Sequence, residues 1–369
     1  MEMVRETKVG RGDESAKRRR KEGGSSGRID EESATTEQIL EVEEEKISED
    51  EQGNWADIDR EVSMGKVLTE DEEMDKYRRG LEYILGGEFG CFEQETTVSS
   101  MLTTHKAIQN ASTATALQLF SIKVEETKLV WPLHVYGMVA ARDPVDRNRN
   151  ILFNRKRDNC QILTEEDPYL LLTGPSRAIV FLDPVDFEID LKVKGGVEDK
   201  ERLIHQVYTF NGTTGADGPR CSNENCTIHL HFKELDETVQ ATIIGAQIIR
   251  GSWPSGYAGQ IACSNASSHD EVVLLDFPAG SNPPVVDRDG NLDLSRRVVS
   301  VDVHKDMVVC VKAYPVCGDL KQTIVSGDVM FTPQQCGITE GICDLGGYCQ
   351  VEFKIAWSLL IVANWLLPS

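Results

Sequence analysis

Alternation of apolar and polar residues with a period of two is the feature that most restricts how this chain folds. It runs through LQLFSIKV, AIVFLDPVDFEIDLKVKG, TIHLHF, RVVSVDVHKDMVVCVKAY and CQVEFKIAW. A period of two places alternate side chains on opposite faces of a strand, and Asp-Pro, Gly-Gly and Asp-Gly turns separate these runs. The pattern predicts a mainly β body over residues 117–360, built as an antiparallel β-sandwich or a barrel-like structure.

The segment before the body has a different composition. Residues 30–95 carry −17 of the chain's formal net charge of −22, whereas residues 1–29 carry +4. A segment rich in charge and poor in apolar residues cannot offset its chain entropy, so we expect residues 1–68 to be a disordered tail. Capping-box spacing and an apolar stripe then predict a helix over 69–87, followed by a linker over 88–116.

The two ends of the sequence indicate where in the cell we expect the protein to be located. The first residues are charged and do not form a secretory signal, so we expect a cytoplasmic protein with reduced thiols. The basic run KRRRK at 17–21 allows a nuclear-import signal, although a solvated charge run is the simpler interpretation. At the other end, 361–369 is predicted to be an apolar extension, too short to span a bilayer.

Two stretches of the body resemble each other. WPLHVYGMVAARD, which begins at Trp131-Pro132, aligns with WPSGYAGQIACSN, which begins at Trp253-Pro254, at an offset of 122. SRAIVFLD aligns with SRRVVSVD at an offset of 119, and Val193-Lys194 aligns with Val311-Lys312 at 118. This order predicts an internal duplication into halves over about 117–200 and 238–315, with final strands to 360. A motif used twice favours structural roles for both Trp-Pro pairs.

The same runs carry a family resemblance. The stretch from WPLHVYGMVAARDPVDRNRN to FEIDLKVKG, together with GSWPSGYAGQI, LSRRVVSVDVH and CQVEFKIAWSLL, resembles an uncharacterised plant domain that is expanded in cereals. Some relatives carry this domain beside a ribosome-inactivating RNA N-glycosidase domain, whose Glu-Ala-x-x-Arg motif is absent here. The resemblance implies no catalytic residue and no cofactor, and it suggests a stress or defence role only by association.

The strongest metal-like pattern contains two cysteines and two histidines. These are Cys221, Cys226, His229 and His231, and the two histidines share one face if the segment is a strand. A polar outer face explains the histidines equally well. A loop over 287–293 has oxygen ligands at alternate positions, but it lacks an EF-hand's Gly and Glu positions, so a hairpin turn is favoured.

Two further clusters have simpler structural interpretations. Cys336, Cys343 and Cys349 lack Cys-x-x-Cys spacing and are expected to be packed thiols. A basic stretch offers a candidate surface for RNA phosphate or an acidic partner, although interleaved Asp residues favour internal ion pairs. Its candidate residues are Arg147, Arg149, Arg155 and Arg157.

Two classes of function remain open from the sequence. The first is a non-enzymatic binding protein whose β scaffold presents loops to an unknown protein, glycan or RNA. The second is a metal-assisted enzyme that uses the Cys221–His231 region, with Glu224 or Asp236 as general base. No Walker loop, nucleophile elbow, zinc-protease motif or dinucleotide fingerprint is present, so the sequence assigns no catalytic residue and no cofactor.

Overall fold

The computed structural model describes residues 67–85, 91–106, 108–195, 202–212, 218–265, 270–277, 289–315 and 323–362. The prediction of a mainly β body is confirmed, and one helix is present in these ranges. The predicted tail lies almost wholly outside the described residues, as do the basic run at 17–21 and residues 363–369. No helix within the described ranges is long and apolar enough to cross a membrane.

The elements follow one another along the chain with few interruptions. They are α1 (Glu70–Leu85), β1 (Ala111–Ser112), β2 (Ala114–Thr127), β3 (Leu133–Arg142), β4 (Asn150–Arg155), β5 (Gln161–Leu163), β6 (Ile179–Val180), β7 (Val185–Val193), β8 (Arg202–Phe210), β9 (Arg220–Ser222), β10 (Cys226–Gly251), β11 (Tyr257–Asn265), β12 (Val272–Phe277), β13 (Val298–Asp302), β14 (Met307–Pro315), β15 (Val325–Phe331), β16 (Cys336–Leu345), β17 (Cys349–Ser358) and β18 (Leu360–Ile361). A short 3-10 turn covers Arg157–Asn159.

Helix α1 begins with the capping box that the sequence predicts. The amide of Thr69 donates to the Glu72 carboxylate at 2.9 Å, and the Glu72 amide donates to the Thr69 hydroxyl at 3.3 Å. These reciprocal bonds satisfy amides that have no partner inside the helix. The helix then buries Met74, and the Tyr77 hydroxyl donates to Asp186 on β7 at 2.9 Å. The helix is therefore docked on the first half of the body.

The strands form antiparallel sheets that share one long central strand. β10 pairs with β2 through its first part and with β13 and β17 through its second part. The order β16-β17-β10-β2-β6 forms the shared sheet, whereas β4-β3-β7-β8 and β12-β11-β14-β15 form one outer sheet for each half. Within the described residues, none of these sheets closes on itself into a barrel. Of the two architectures that the sequence predicts, the antiparallel β-sandwich therefore fits the structure. Strands β1 and the start of β2 lie in the range that the sequence predicts as linker.

The strand pairings of the two halves have the same register. β3 pairs Gly137 with Leu191 of β7, and β11 pairs Gly259 with Ala313 of β14, which is the same pair displaced by 122. The β3–β4 and β11–β12 pairings also coincide at this offset, including a register shift after Val139 and after the corresponding residue of β11. The offsets of 118 for the Val-Lys pairs and 119 for the SRAIVFLD and SRRVVSVD blocks are therefore both wrong. The pairings of β6 and β13 also coincide at 122, because Ala116 pairs with Val180 and Thr238 pairs with Asp302.

Each half has its own hydrophobic core. The first core collects buried residues between Leu117 and Phe232, and the second collects those between Val239 and Trp357. Trp131 packs against the first core and Trp253 against the second, and each is partly rather than fully buried. Trp131-Pro132 directly precedes β3, and Trp253-Pro254 precedes β11 by two intervening residues, so each pair lies just before the first strand of an outer sheet.

Candidate functional site

A cleft of about 450 Å³ lies between the two halves, and we call it the central cleft. Its wall comes from β2, the 161–172 segment, β10, β11, β12 and the Ser295-Arg296 pair. This volume is within the range that small-molecule sites occupy. The side chains that matter for its chemistry are Phe120, Asp167, Tyr169, His231, Gln260, Asp270, Glu271, Asp276 and Arg296.

A β-bulge on β2 shapes one wall of the cleft. Ser121 pairs with His231 and Leu119 pairs with Phe232, so Phe120 is an extra residue between two paired positions. A bulge re-aims side chains and leaves ladder groups without strand partners. Phe120 consequently lies beside the His231 ring, at 5.1 Å between ring centroids.

The loop that carries Tyr169 is fixed by one glutamine. The Gln161 amide nitrogen donates to the Tyr169 carbonyl, and its amide oxygen accepts from the Leu171 amide, both at 2.8 Å. The Leu170 amide donates to the carbonyl of Ile122 on β2 at 2.9 Å. The segment thus runs along β2, and Tyr169 keeps 45 % of its surface exposed at the cleft. The exposed ring is an apolar platform, and Lys123 Nζ lies over it at 5.8 Å from the ring centroid.

The carboxylates of the cleft fall into two classes. Asp270 contacts Lys233 and lies 3.6 Å from His231 Nε2, and Glu271 accepts from Lys312 Nζ at 2.6 and 2.7 Å. In contrast, no lysine or arginine in the described residues forms an ion pair with Asp167 or Asp276. Burial raises the pKa of Asp276, and the negative charge of Asp167 raises it further. A perturbed carboxyl in a cleft is a candidate ligand contact.

Arg296 forms the buried end of the cleft and is only 2 % exposed. Its two terminal nitrogens donate to the carbonyls of Phe120 at 3.2 Å and Leu119 at 2.8 Å, the backbone groups at the bulge. Its Nε has no hydrogen-bond partner in the described residues. Burial lowers the pKa of Arg296 to about 10, so the side chain still carries its charge at neutral pH.

The structure separates the four metal-ligand candidates. Cys226 alternates with the histidines along β10 and lies on the core side, and Cys221 pairs in register with Ile228 on that same side. Burial raises the pKa of both thiols to about 12, which disfavours the thiolate that binds zinc. His229 and His231 stack on the opposite face, with their centroids 5.9 Å apart. These four side chains therefore do not form one site.

The comparisons with known proteins identify the family but not the activity. A family model described as a domain of unknown function (DUF6598) matches residues 116–355, well over half of the chain. The chain belongs to this family. No curated protein matches it. The human GIVD cytosolic phospholipase A2 structure is similar at 7 % identity and a TM-score of 0.21, which is too low to carry an argument. That likeness covers 68 % of this chain and 33 % of the phospholipase, so the chain spans about a third of its length.

Within the DUF6598 domain, the candidate basic surface is used largely for internal contacts. Arg149 binds the Glu188 carboxylate through Nε at 2.9 Å and Nη2 at 2.5 Å. Arg147 donates to the Pro184 carbonyl at 2.7 Å, and Arg157 donates to the Gly195 carbonyl at 3.5 Å. The Nε of Arg155 is buried without a hydrogen-bond partner in the described residues, so this arginine is packed rather than paired through that atom. These contacts favour a structural role for the basic stretch, with its arginines bound inside the protein, rather than a role as a phosphate-binding surface.

The remaining candidates of the DUF6598 domain are also packed or partly outside the described residues. Cys343 and Cys349 lie in the second core, and burial raises the pKa of each thiol to about 11, whereas Cys336 is exposed. Positions 287 and 288 of the candidate calcium loop lie outside the described residues, and Gly290 adopts a φ of +83°. That conformation is typical of a tight turn.

Sequence reasoning singled out His231 but missed the other residues of the central cleft, because they come from distant segments of the chain. The DUF6598 repeat alignment shows one chemical difference between the halves. WPLHVYGMVAARD ends in Asp143, whereas WPSGYAGQIACSN ends in Asn265, so a carboxylate of the first half is replaced by an amide in the second. The strand pairings align the SRAIVFLD and SRRVVSVD blocks differently from their sequences: β6 pairs Ile179 with Leu117, and β13 pairs Val301 with Val239, so Arg177 corresponds to Val299 rather than to Arg296.

Proposed function

We propose that this DUF6598 protein is a binding protein whose central cleft takes a small, hydroxyl-rich ligand of the glycan class. The observation that carries the proposal is the combination, in one cleft, of an exposed aromatic ring with two carboxyl groups, Asp167 and Asp276, that form no ion pair with a lysine or arginine in the described residues. Tyr169 offers a face for the apolar side of a sugar ring, and Asp167 and Asp276 accept hydrogen bonds from hydroxyl groups.

Charge argues against the other candidate partners at this position. The carboxylates of Asp167 and Asp276 repel nucleic-acid phosphates, which disfavours RNA in the cleft. A metal-assisted enzyme based on Cys221–His231 has little support, because its thiols and imidazoles lie on opposite faces of β10. A glycan needs neither a basic surface nor a metal.

The test is a binding measurement on the full chain by isothermal titration calorimetry. The probes are defined neutral and acidic oligosaccharides of three sugar units. Tyr169→Ala and Asp276→Asn should each weaken binding about tenfold, which corresponds to about 1.4 kcal/mol. The matched controls are Tyr348→Ala, which removes a similarly exposed ring from the β16–β17 turn, and Asp158→Asn, which removes an exposed carboxylate from the 3-10 turn. Equal loss in variants and controls, or no binding of any trimer, would reject the proposal.

The proposal extends to the origin of the two halves and to the biological role and location of the protein. We infer that the two halves arose by internal duplication, and the shared register of their strand pairings supports this. A plant origin, a stress or defence role and a cytoplasmic or nuclear location rest on the family resemblance and on the cysteine and basic patterns of the sequence. Localisation of the tagged full chain, with and without the basic run at 17–21, tests the nuclear alternative.

A further inference from the structure

Each half of the body contains a glutamine whose side chain reaches into the other half. Gln118 of β2 and Gln240 of β10 are equivalent at the offset of 122 that the strand pairings share. The side-chain oxygen of Gln118 accepts from the Ser300 amide at 2.7 Å, and that of Gln240 accepts from the Ala178 amide at 2.5 Å. Exchanging the two halves therefore turns one contact into the other, and the two glutamines mark equivalent places in the fold.

The place beside Gln240 is covered by residues 96–104, which we call the covering segment. The amide nitrogen of Gln240 donates to the Ser100 carbonyl, and the hydroxyl groups of Thr104 and Ser358 are hydrogen-bonded at 2.6 Å. The Thr104 side chain is buried by this contact. A cavity of about 20 Å³ remains under the covering segment, so the segment nearly fills the place that it covers.

The equivalent place beside Gln118 is an open pocket of about 170 Å³, and we call it the Gln118 pocket. Lys233 pairs with Gln118 and stands where Ser358 stands in the other half. Leu235 lines the pocket and is partly exposed, whereas Leu360, at the corresponding position under the covering segment, is only 3 % exposed. The second half therefore repeats the framework of this place without its cover.

Within the described residues, the second half has no covering segment of its own. Residues 218–226 stand 122 positions after the covering segment, but β9 and the start of β10 lie there and pair with each other. Gln118 Nε2 donates to the Leu119 carbonyl at 2.8 Å and binds no second acceptor in the described part of the chain. A side-chain amide nitrogen carries two hydrogens, so one donor is left for an acceptor in the pocket. Further polar side chains line the pocket, namely Lys233, Ser264, Asn265, Asp270, Ser300 and Lys305.

We propose that the Gln118 pocket binds a serine- and threonine-rich peptide segment of a partner protein, in the way that the first half binds its covering segment. A backbone carbonyl of the peptide accepts from Gln118 Nε2, a hydroxyl group accepts from Lys233, and an apolar side chain packs on Leu235. The peptide is uncharged, because both lysines of the pocket already form ion pairs with aspartates. The inference goes beyond the glycan proposed for the central cleft, with which the pocket shares Phe120 and Asp270.

The probe is a synthetic peptide with the sequence of the covering segment, TTVSSMLTT, blocked at both ends and labelled with a fluorophore. Fluorescence anisotropy measures its binding to the full chain. We expect the peptide to bind at least about tenfold more tightly than a scrambled peptide of the same composition. The place beside Gln240 does not compete for the probe, because the tethered covering segment occupies it at a high effective concentration.

Two variants test the position of the site. Leu235→Asp puts a charge into the wall of the pocket, and Lys305→Trp narrows the pocket with a bulky ring at a side chain that is 47 % exposed. Each should weaken peptide binding about tenfold or more. The matched control is Ile249→Asp, which adds the same charge at an exposed position further along β10 and should leave binding unchanged. Circular dichroism checks that all three variants fold.

Three results would overturn the proposal. The first is an absence of peptide binding, and the second is equal binding of the scrambled peptide. The third is binding that both pocket variants leave unchanged or that Ile249→Asp weakens equally. Loss of oligosaccharide binding in Leu235→Asp would also count against it, because the pocket would then be an extension of the central cleft. Peptide binding that persists in Tyr169→Ala would support a separate site, whatever the outcome of the oligosaccharide titrations.

Discussion

Replacing Glu188 by glutamine should be among the most destabilising conservative substitutions in this protein. Glu188 is 3 % exposed and binds two arginines at once. It accepts from Arg142 Nε at 3.1 Å and Nη2 at 2.8 Å, and from Arg149 Nε at 2.9 Å and Nη2 at 2.5 Å. Arg142 is itself only 1 % exposed, and its remaining partners are two backbone carbonyls and the face of the Phe92 ring.

The size of the stability loss depends on the charge and contacts that remain after the substitution. Glutamine keeps the shape of the side chain but not its charge, and its amide nitrogen cannot accept a hydrogen bond. Arg142 then stays buried with a positive charge that no anion compensates, and breaking such a buried pair costs about 3–5 kcal/mol. Domains are commonly stable by about 5–15 kcal/mol, so this loss is a large fraction of the total.

Urea denaturation followed by tryptophan fluorescence measures the effect. The control is Glu340→Gln, which breaks the ion pair with Lys354 on the β16–β17 surface, where the two side chains are 56 % and 42 % exposed. Solvent screens an exposed pair, so the control should shift the midpoint little. A loss below about 1 kcal/mol for Glu188→Gln would show that water or backbone groups compensate Arg142, and the reasoning would be wrong.

Three further outcomes are expected. Gly259→Ala should destabilise by about 1–3 kcal/mol, because a Cβ there would lie 2.1 Å from the Phe277 ring, and an unchanged urea midpoint would contradict this. Gly80→Ala, with no atom within 4 Å of its new Cβ, should stabilise α1 by up to about 1 kcal/mol in the same assay. Asp276 has a pKa that is raised on folding, so its ionisation destabilises the folded state as the pH rises above the unfolded value of about 3.9. Asp276→Asn should therefore raise the melting temperature at pH 7 but not at pH 3, and a difference independent of pH would refute the raised pKa.

Much of the architecture could be predicted from local sequence. Period-two alternation marks the strands because a pleated strand buries every second side chain, and β10 shows this alternation through its first part. The capping box at Thr69 and Glu72 marks the start of α1 because those two side chains satisfy the first amides of the helix. The paired Trp-Pro motifs likewise indicate corresponding places in the two halves.

Local patterns could not predict which partners the candidate residues meet across the fold. The odd spacing of Cys226 and His229 already places them on opposite faces of a strand, but only the pairing with β9 shows that Cys221 joins the core. From sequence alone, the basic stretch is a candidate binding surface. The structure shows that Arg149 of this stretch binds Glu188, which is 39 residues away in the chain.

The sequence by itself determined the strands, the helix start and the repeated order of the two halves, because those properties depend on neighbours in the chain. Only the tertiary structure decided that a bulge at Phe120, a loop at Tyr169 and a buried Arg296 line one cleft. Those residues lie up to 176 positions apart, as in the Arg296–Phe120 contact. Their electrostatics depend on burial and on which carboxylates of the cleft meet a lysine, and neither property has a local sequence pattern.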